Sequence, residues 1–131
     1  MIDWSKQEAP TLAEFDAIAA AAYKRLPARF RALTGDLLIR IEDFATDEVL
    51  DSMGIESAFD LLGLYSGVDL DRKSVMDVSA MPDMVFLYRR PILDYWAEHE
   101  ETLGAIITHV LVHEIGHHFG LSDDDMEAIE A

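Results

Sequence analysis

Apolar residues recur at three- and four-residue steps from Leu12 through Phe15, Ile18, Ala19 and Ala22 to Leu26, and Thr11 with Glu14 has the spacing of a capping box. The pattern predicts a helix that Pro27 interrupts. A short helical turn is expected around Ala28 to Leu33, and Gly35 with Asp36 marks a loop. "LLIRIEDF", Leu37 to Phe44, has the aliphatic content of a strand, with Leu37, Ile39 and Ile41 on one face. Thr46, Asp47 and Glu48 then open a short helix that Gly54 closes. Two further strands are predicted in "LLGLYSG", Leu61 to Gly67, and "MVFLYRR", Met84 to Arg90, both aromatic and aliphatic and bounded by Gly, Pro or Asp. Between them "VDLDRKSVMDVSAMPD" has no period and reads as a long excursion, a kind of segment that often carries function. A long helix is predicted over Glu98 to Phe119, broken by Gly120, and Ser122 caps a last short one. Helices mixed with a small sheet, without βαβ alternation, indicate an α+β fold in a single domain spanning residues 1–131.

Composition narrows the chemistry. There is no cysteine, so disulfides, thiolate metal sites and cysteine nucleophiles are excluded together, and any metal must be held by nitrogen and oxygen. A formal net charge of −16 repels phosphate backbones, which argues against nucleic acid as a partner. The same acidity is explained by solubility before it is explained by a cationic substrate. "MIDWSKQEAP" has neither the basic nor the apolar region of a signal peptide, and no apolar run is long enough for a membrane span. A cytoplasmic location is the expectation.

Four of the five histidines fall within "HVLVHEIGHH". Leu103, Ile106, Ile107, Val110, Leu111 and Ile115 give this helix a broad apolar band. His109, His113 and His117 follow one another at four-residue steps, each rotated by only about 40°, and so form a stripe. If the stripe is buried without metal, each polar ring nitrogen needs a hydrogen-bond partner; ligation to a metal removes that requirement. Within it, His113-Glu114-Ile115-Gly116-His117 is the His-Glu-x-x-His pattern. Two histidines one turn apart project side by side toward one ion, at the about 2.0–2.1 Å that zinc requires of nitrogen ligands. Glu114, rotated by about 100° from His113, comes to lie beside the ion, where it can take a proton from an attacking water. The competing reading is a histidine-rich structural helix.

"HEIGHHFGLSD", with "LLGLYSG" and "MVFLYRRPI" before it, resembles the zincin metallopeptidases. Within them it is most similar to the small bacterial zincin-like metallopeptidases, single-domain proteins with this motif near the C-terminus. The resemblance covers about the last half of the chain, and the helix motif is its specific part. It implies a zincin-like sheet of about three strands packed on a long active-site helix. It also implies His113, His117 and Asp123 as zinc ligands and Glu114 as general base. Three protein ligands leave one position open for water. Ser122 to Asp125 is equally a helix N-terminus with acids in the first turn, and Glu127, one turn on, is the reserve ligand. Metzincins carry a methionine turn well downstream of the motif; Met126 is too near His117 to be assigned that role, and an open cleft is expected.

The other groups read more plainly. His109 is a hydrogen-bonded core imidazole or a partner supporting a ligand, His118 a packing residue and His99 a solvated one. Tyr65, Tyr88, Arg89 and Arg90 are available to steady an oxyanion, although strand packing is the first explanation of the tyrosines. A substrate peptide is expected to pair with a strand edge, for which Met84 to Arg90 is the choice. The reading that results is a cytoplasmic zinc-dependent hydrolase, a peptidase acting on an unidentified peptide or protein. Its alternative is a catalytically inactive module that binds metal or another protein. Fold and ligand set do not fix the bond cleaved.

Overall fold

The structure is a computed structural model that describes residues 1–67 and 82–131. The aperiodic excursion after Gly67 lies almost wholly outside the described residues. Among the described residues there are six α-helices and a three-stranded mixed sheet. Helix α1, Leu12–Arg25, opens on the capping box of Thr11 and Glu14, and α2 is the single turn Ala28–Arg31. Strand β1, Leu38–Glu42, is followed by α3, Asp47–Met53, which Thr46 caps and Gly54 ends in the left-handed conformation at φ 69°. Strand β2 is Gly63–Ser66 and β3 is Met84–Tyr88.

The strands are ordered β1-β3-β2, with β1 parallel to β3 and β2 antiparallel to it. The strand from Met84 is therefore the centre of the sheet, which corrects the expectation that it is an edge. Both of its faces are covered: Val85 and Leu87 are fully buried on one, and Tyr88 is nearly so on the other. A strand buried on this scale needs neighbours on both sides for its backbone.

Two boundaries also differ from expectation. Arg89 and Arg90 leave the strand and begin α4, Arg89–Glu98. Pro91 sits in the first turn of this helix, where its missing N–H breaks no internal bond, so what reads as a breaker is compatible with helix. The long helix accordingly starts later, as α5, Leu103–His118, with the Thr102 hydroxyl accepting from the Ala105 N–H at 3.1 Å. Helix α6, Asp123–Glu130, closes the described chain.

The core lies between α5 and the sheet. Ile107, Leu111, Val112 and Ile115 of α5 are fully buried beside Val85 and Leu87 of β3, Phe15 and Ala19 of α1, and Ile92 of α4. This packing on several sides fixes the rotation of α5 and hence the direction of its polar side chains. No helix among the described residues is long and apolar enough to cross a membrane.

Candidate metal centre

Helix α5 ends where its sequence changes character. Phe119 takes the cap position, Gly120 adopts φ 73°, and the Leu121 N–H donates back to the Gly116 carbonyl at 2.9 Å. A left-handed glycine with a bond of this span reverses the chain tightly. Ser122 then caps α6, with Asp125 completing a second capping box. The reversal lays α6 along α5. Met126, fully buried, fills the space over Gly116, and Glu130 reaches the histidine stripe one to two turns further back. A Cβ on Gly116 would lie 2.8 Å from the Met126 Cγ and closer still to its sulfur.

The three stripe histidines are stacked along the helix. The His109 and His113 rings have centroids 3.9 Å apart, and those of His113 and His117 are 5.5 Å apart and nearly perpendicular. The Glu130 carboxylate approaches both of the first two, at 3.0 and 3.2 Å from His109 Nδ1 and 3.6 Å from His113 Nε2. His109, His113 and Glu130 thus present ligand atoms all within 4.8 Å of one another. His109 is exposed, so it is not the core imidazole its spacing suggested. Burial lowers the His113 pKa, as do the charges of His109 and His117, while Glu130 and Asp123 oppose the shift. The neutral ring that ligation needs is the favoured form.

The remaining proposed ligands are placed differently. His117 is exposed in the last turn of α5. Asp123 is exposed in the first turn of α6 and acts on His113 through its charge. Neither belongs to the three-residue group around Glu130, and Glu127 is exposed outside it as well. Glu130 is the residue that sequence reasoning missed. Its signal was present: Asp123, Glu127 and Glu130 recur at helical spacing, an acidic stripe able to face the histidines.

Glu114 points the other way, toward β2. Its carboxyl is largely withdrawn from water, and burial raises its pKa against the opposing effects of the His117 charge and a hydrogen bond from the Tyr65 backbone N–H. A base with raised proton affinity is better matched to neutral pH than an ordinary glutamate. The close approach of β2 depends on Gly63, where a Cβ would stand 2.6 Å from Val110 Cγ1, 3.1 Å from the Phe86 carbonyl oxygen and 3.4 Å from Glu114 Cγ.

Both tyrosines serve packing. Tyr65 stacks on His118 at 4.0 Å and its hydroxyl donates to Asp83 Oδ2 at 2.6 Å, while burial and that carboxylate raise its pKa. Burial, with the charges of Glu42 and Glu114, pushes the Tyr88 pKa up to about 12. Arg89 is occupied elsewhere, donating to the Pro10 carbonyl at 2.6 Å and to Asp43 Oδ1 at 3.1 Å. His99 is exposed, with Nδ1 2.7 Å from the Tyr95 carbonyl oxygen.

The donors fit zinc in kind: imidazole nitrogen and carboxylate oxygen, with no thiolate, converge on one helix face. A mixed sheet with an antiparallel strand held against a histidine-bearing helix, and a half-buried glutamate between them, makes this an α+β protein with a candidate metal-binding helix. A family model described as zincin-like metallopeptidase matches residues 34–131, and the chain belongs to that family. Among curated proteins none matches it. Helix α1 precedes the matched region, yet its Phe15 and Ala19 are part of the same core.

Proposed function

We propose that this chain is a zinc-dependent peptidase in which Glu114 is the general base. The observation that carries the reading is Glu114 itself: a carboxylate withdrawn from water, with raised proton affinity, one residue from His113 and held by the Tyr65 N–H. His113 and His117 are the proposed nitrogen ligands, and α6 supplies a carboxylate, for which Asp123 is the candidate of the motif. Zinc, when bound, would polarise a scissile carbonyl and bring the pKa of water to near 7. Glu114 takes the proton of the attacking water and returns it to the leaving amine.

Strand β2 is the sheet edge next to Glu114, so an extended substrate would pair along Gly63–Ser66. This replaces the central strand β3 as the proposed site of pairing. A cytoplasmic setting and a peptide or protein substrate, without nucleic acid, belong to the same proposal. The test is Glu114→Gln, assayed on a pool of fluorogenic peptides with zinc content measured in parallel. Zinc retained with hydrolysis lost supports the reading, and hydrolysis at the wild-type rate refutes it.

A second reading, a metal-stabilised module without activity, draws on the crowding of His109 and Glu130 around His113. His109, His113 and Glu130 take three positions, and a fourth protein donor such as His117 would close a zinc shell that catalysis needs open. Zinc uptake with no hydrolysis of any peptide in the pool supports that alternative.

A further inference from the structure

We infer that the chain has a divalent-cation site formed by His109, His113 and Glu130, one helical turn before the site of the His-Glu-x-x-His motif. This inference rests on the reading that α5 holds a metal, and it assigns ligands that the motif does not contain.

Ligands about 2.05 Å from a tetrahedral ion stand about 3.3 Å from one another. Glu130 Oε2 lies 3.2 Å from His109 Nδ1 and 3.6 Å from His113 Nε2, which brackets that separation. The shorter contact is also a good hydrogen bond, but the longer one exceeds hydrogen-bond length. Glu130 is therefore aimed between the two rings, and a hydrogen bond satisfies only one of them. The rings are already gathered, with centroids 3.9 Å apart, so the fold holds both imidazoles beside the carboxylate.

The carboxylate is positioned by the fold. Met126 on Gly116 sets the depth of α6 against α5, and the capping box at Ser122 sets where α6 begins. Two turns from that start, Glu130 falls opposite His109 and His113, with only 23% of its side chain exposed. His113 offers its Nε2 to this site and to the motif site alike. One ion can therefore occupy either position, and an ion held by His109 and Glu130 stands away from His117.

The test is cobalt(II) binding to the metal-free protein, followed by visible absorption and by competition with a chromophoric chelator. His117→Ala removes the motif site and leaves the inferred one. The expected result is one cobalt per chain in wild type and in His117→Ala, with affinity in the variant within about fivefold of wild type. Adding Glu130→Gln or His109→Ala to His117→Ala should then weaken binding at least tenfold, the scale on which loss of a metal-supporting group acts. Both added changes lie at partly exposed side chains, and far-UV circular dichroism checks that each variant is folded. Loss of all cobalt in His117→Ala, with binding intact in wild type, overturns the inference and leaves the proposed function standing. Insensitivity to both Glu130→Gln and His109→Ala overturns it equally. Failure of the wild type to bind cobalt overturns both.

Discussion

The backbone N–H of Tyr65 donates to the carboxylate of Glu114, so the candidate base on α5 is held by the edge strand β2. That bond needs β2 to lie close to the helix, and Gly63 is what permits it. Gly63→Ala puts a methyl group 2.6 Å from Val110 Cγ1 and 3.1 Å from a backbone oxygen. The expected cost is about 1–3 kcal/mol of stability, read from urea unfolding, as for other overpacked sites. Peptide hydrolysis should fall as well, because a displaced β2 carries the Tyr65 N–H away from Glu114. Val110→Ala in the same chain should recover part of both, since it removes the nearer of the two clashes.

Glu114 also makes a prediction about pH. Its pKa in the folded protein is raised by burial, so the folded state binds the proton more tightly than the unfolded state does. Its contribution to stability is complete below the ordinary value of 4.5 and is lost as pH rises through the folded pKa. Glu114→Gln keeps the acceptor for Tyr65 and removes the ionisation. The metal-free variant should therefore be more stable than metal-free wild type at neutral pH, with the difference vanishing in acid. Urea midpoints at the two pH values measure it, and a difference that grows in acid contradicts the assignment.

The contact between Gly116 and Met126 couples the two helices of the site. Gly116→Ala should destabilise the fold by about 1–3 kcal/mol, and Met126→Ala by about 2–5 kcal/mol through the space it empties. The double variant should cost less than the sum, with a coupling of about 0.5–3 kcal/mol in a double-mutant cycle. Additive losses would mean that α6 does not rest on Gly116.

The elements with strong local signals were legible in the sequence. Thr11, Thr46 and Ser122 cap helices where their side chains can accept from the following turn, and Gly120 turns the chain as its position requires. The His113, Glu114 and His117 pattern drew attention to the helix along which the structure gathers His109, His113 and Glu130. What could not be read was tertiary. The sheet order depends on which strand is buried on both sides, and Met84–Tyr88 has the same short apolar pattern as an edge strand. The helix over Arg89–Glu98 was hidden by Pro91, whose effect depends on its distance from a start that only the structure sets. Glu130 lies 21 residues from His109 in sequence, and its role depends on how far α6 is carried back by the turn at Gly120.

Metal removal provides the last prediction. His113 is common to the motif site and to the group with Glu130, so whichever of these positions holds the ion, His113→Ala should abolish uptake. A ligand that binds only the folded state adds stability by mass action, about 2.7 kcal/mol at a free concentration one hundred times its dissociation constant. Zinc should therefore raise the melting temperature of wild type, and a chelator should lower it to the value of the metal-free chain. His113→Ala should melt at one temperature under both conditions. Because the ion would join α5 to α6, the added protection should concentrate in amide hydrogen exchange over Asp123–Glu130 and spare α1, which contributes no ligand. Protection gained uniformly across the chain would point to global stabilisation without a site at this helix pair.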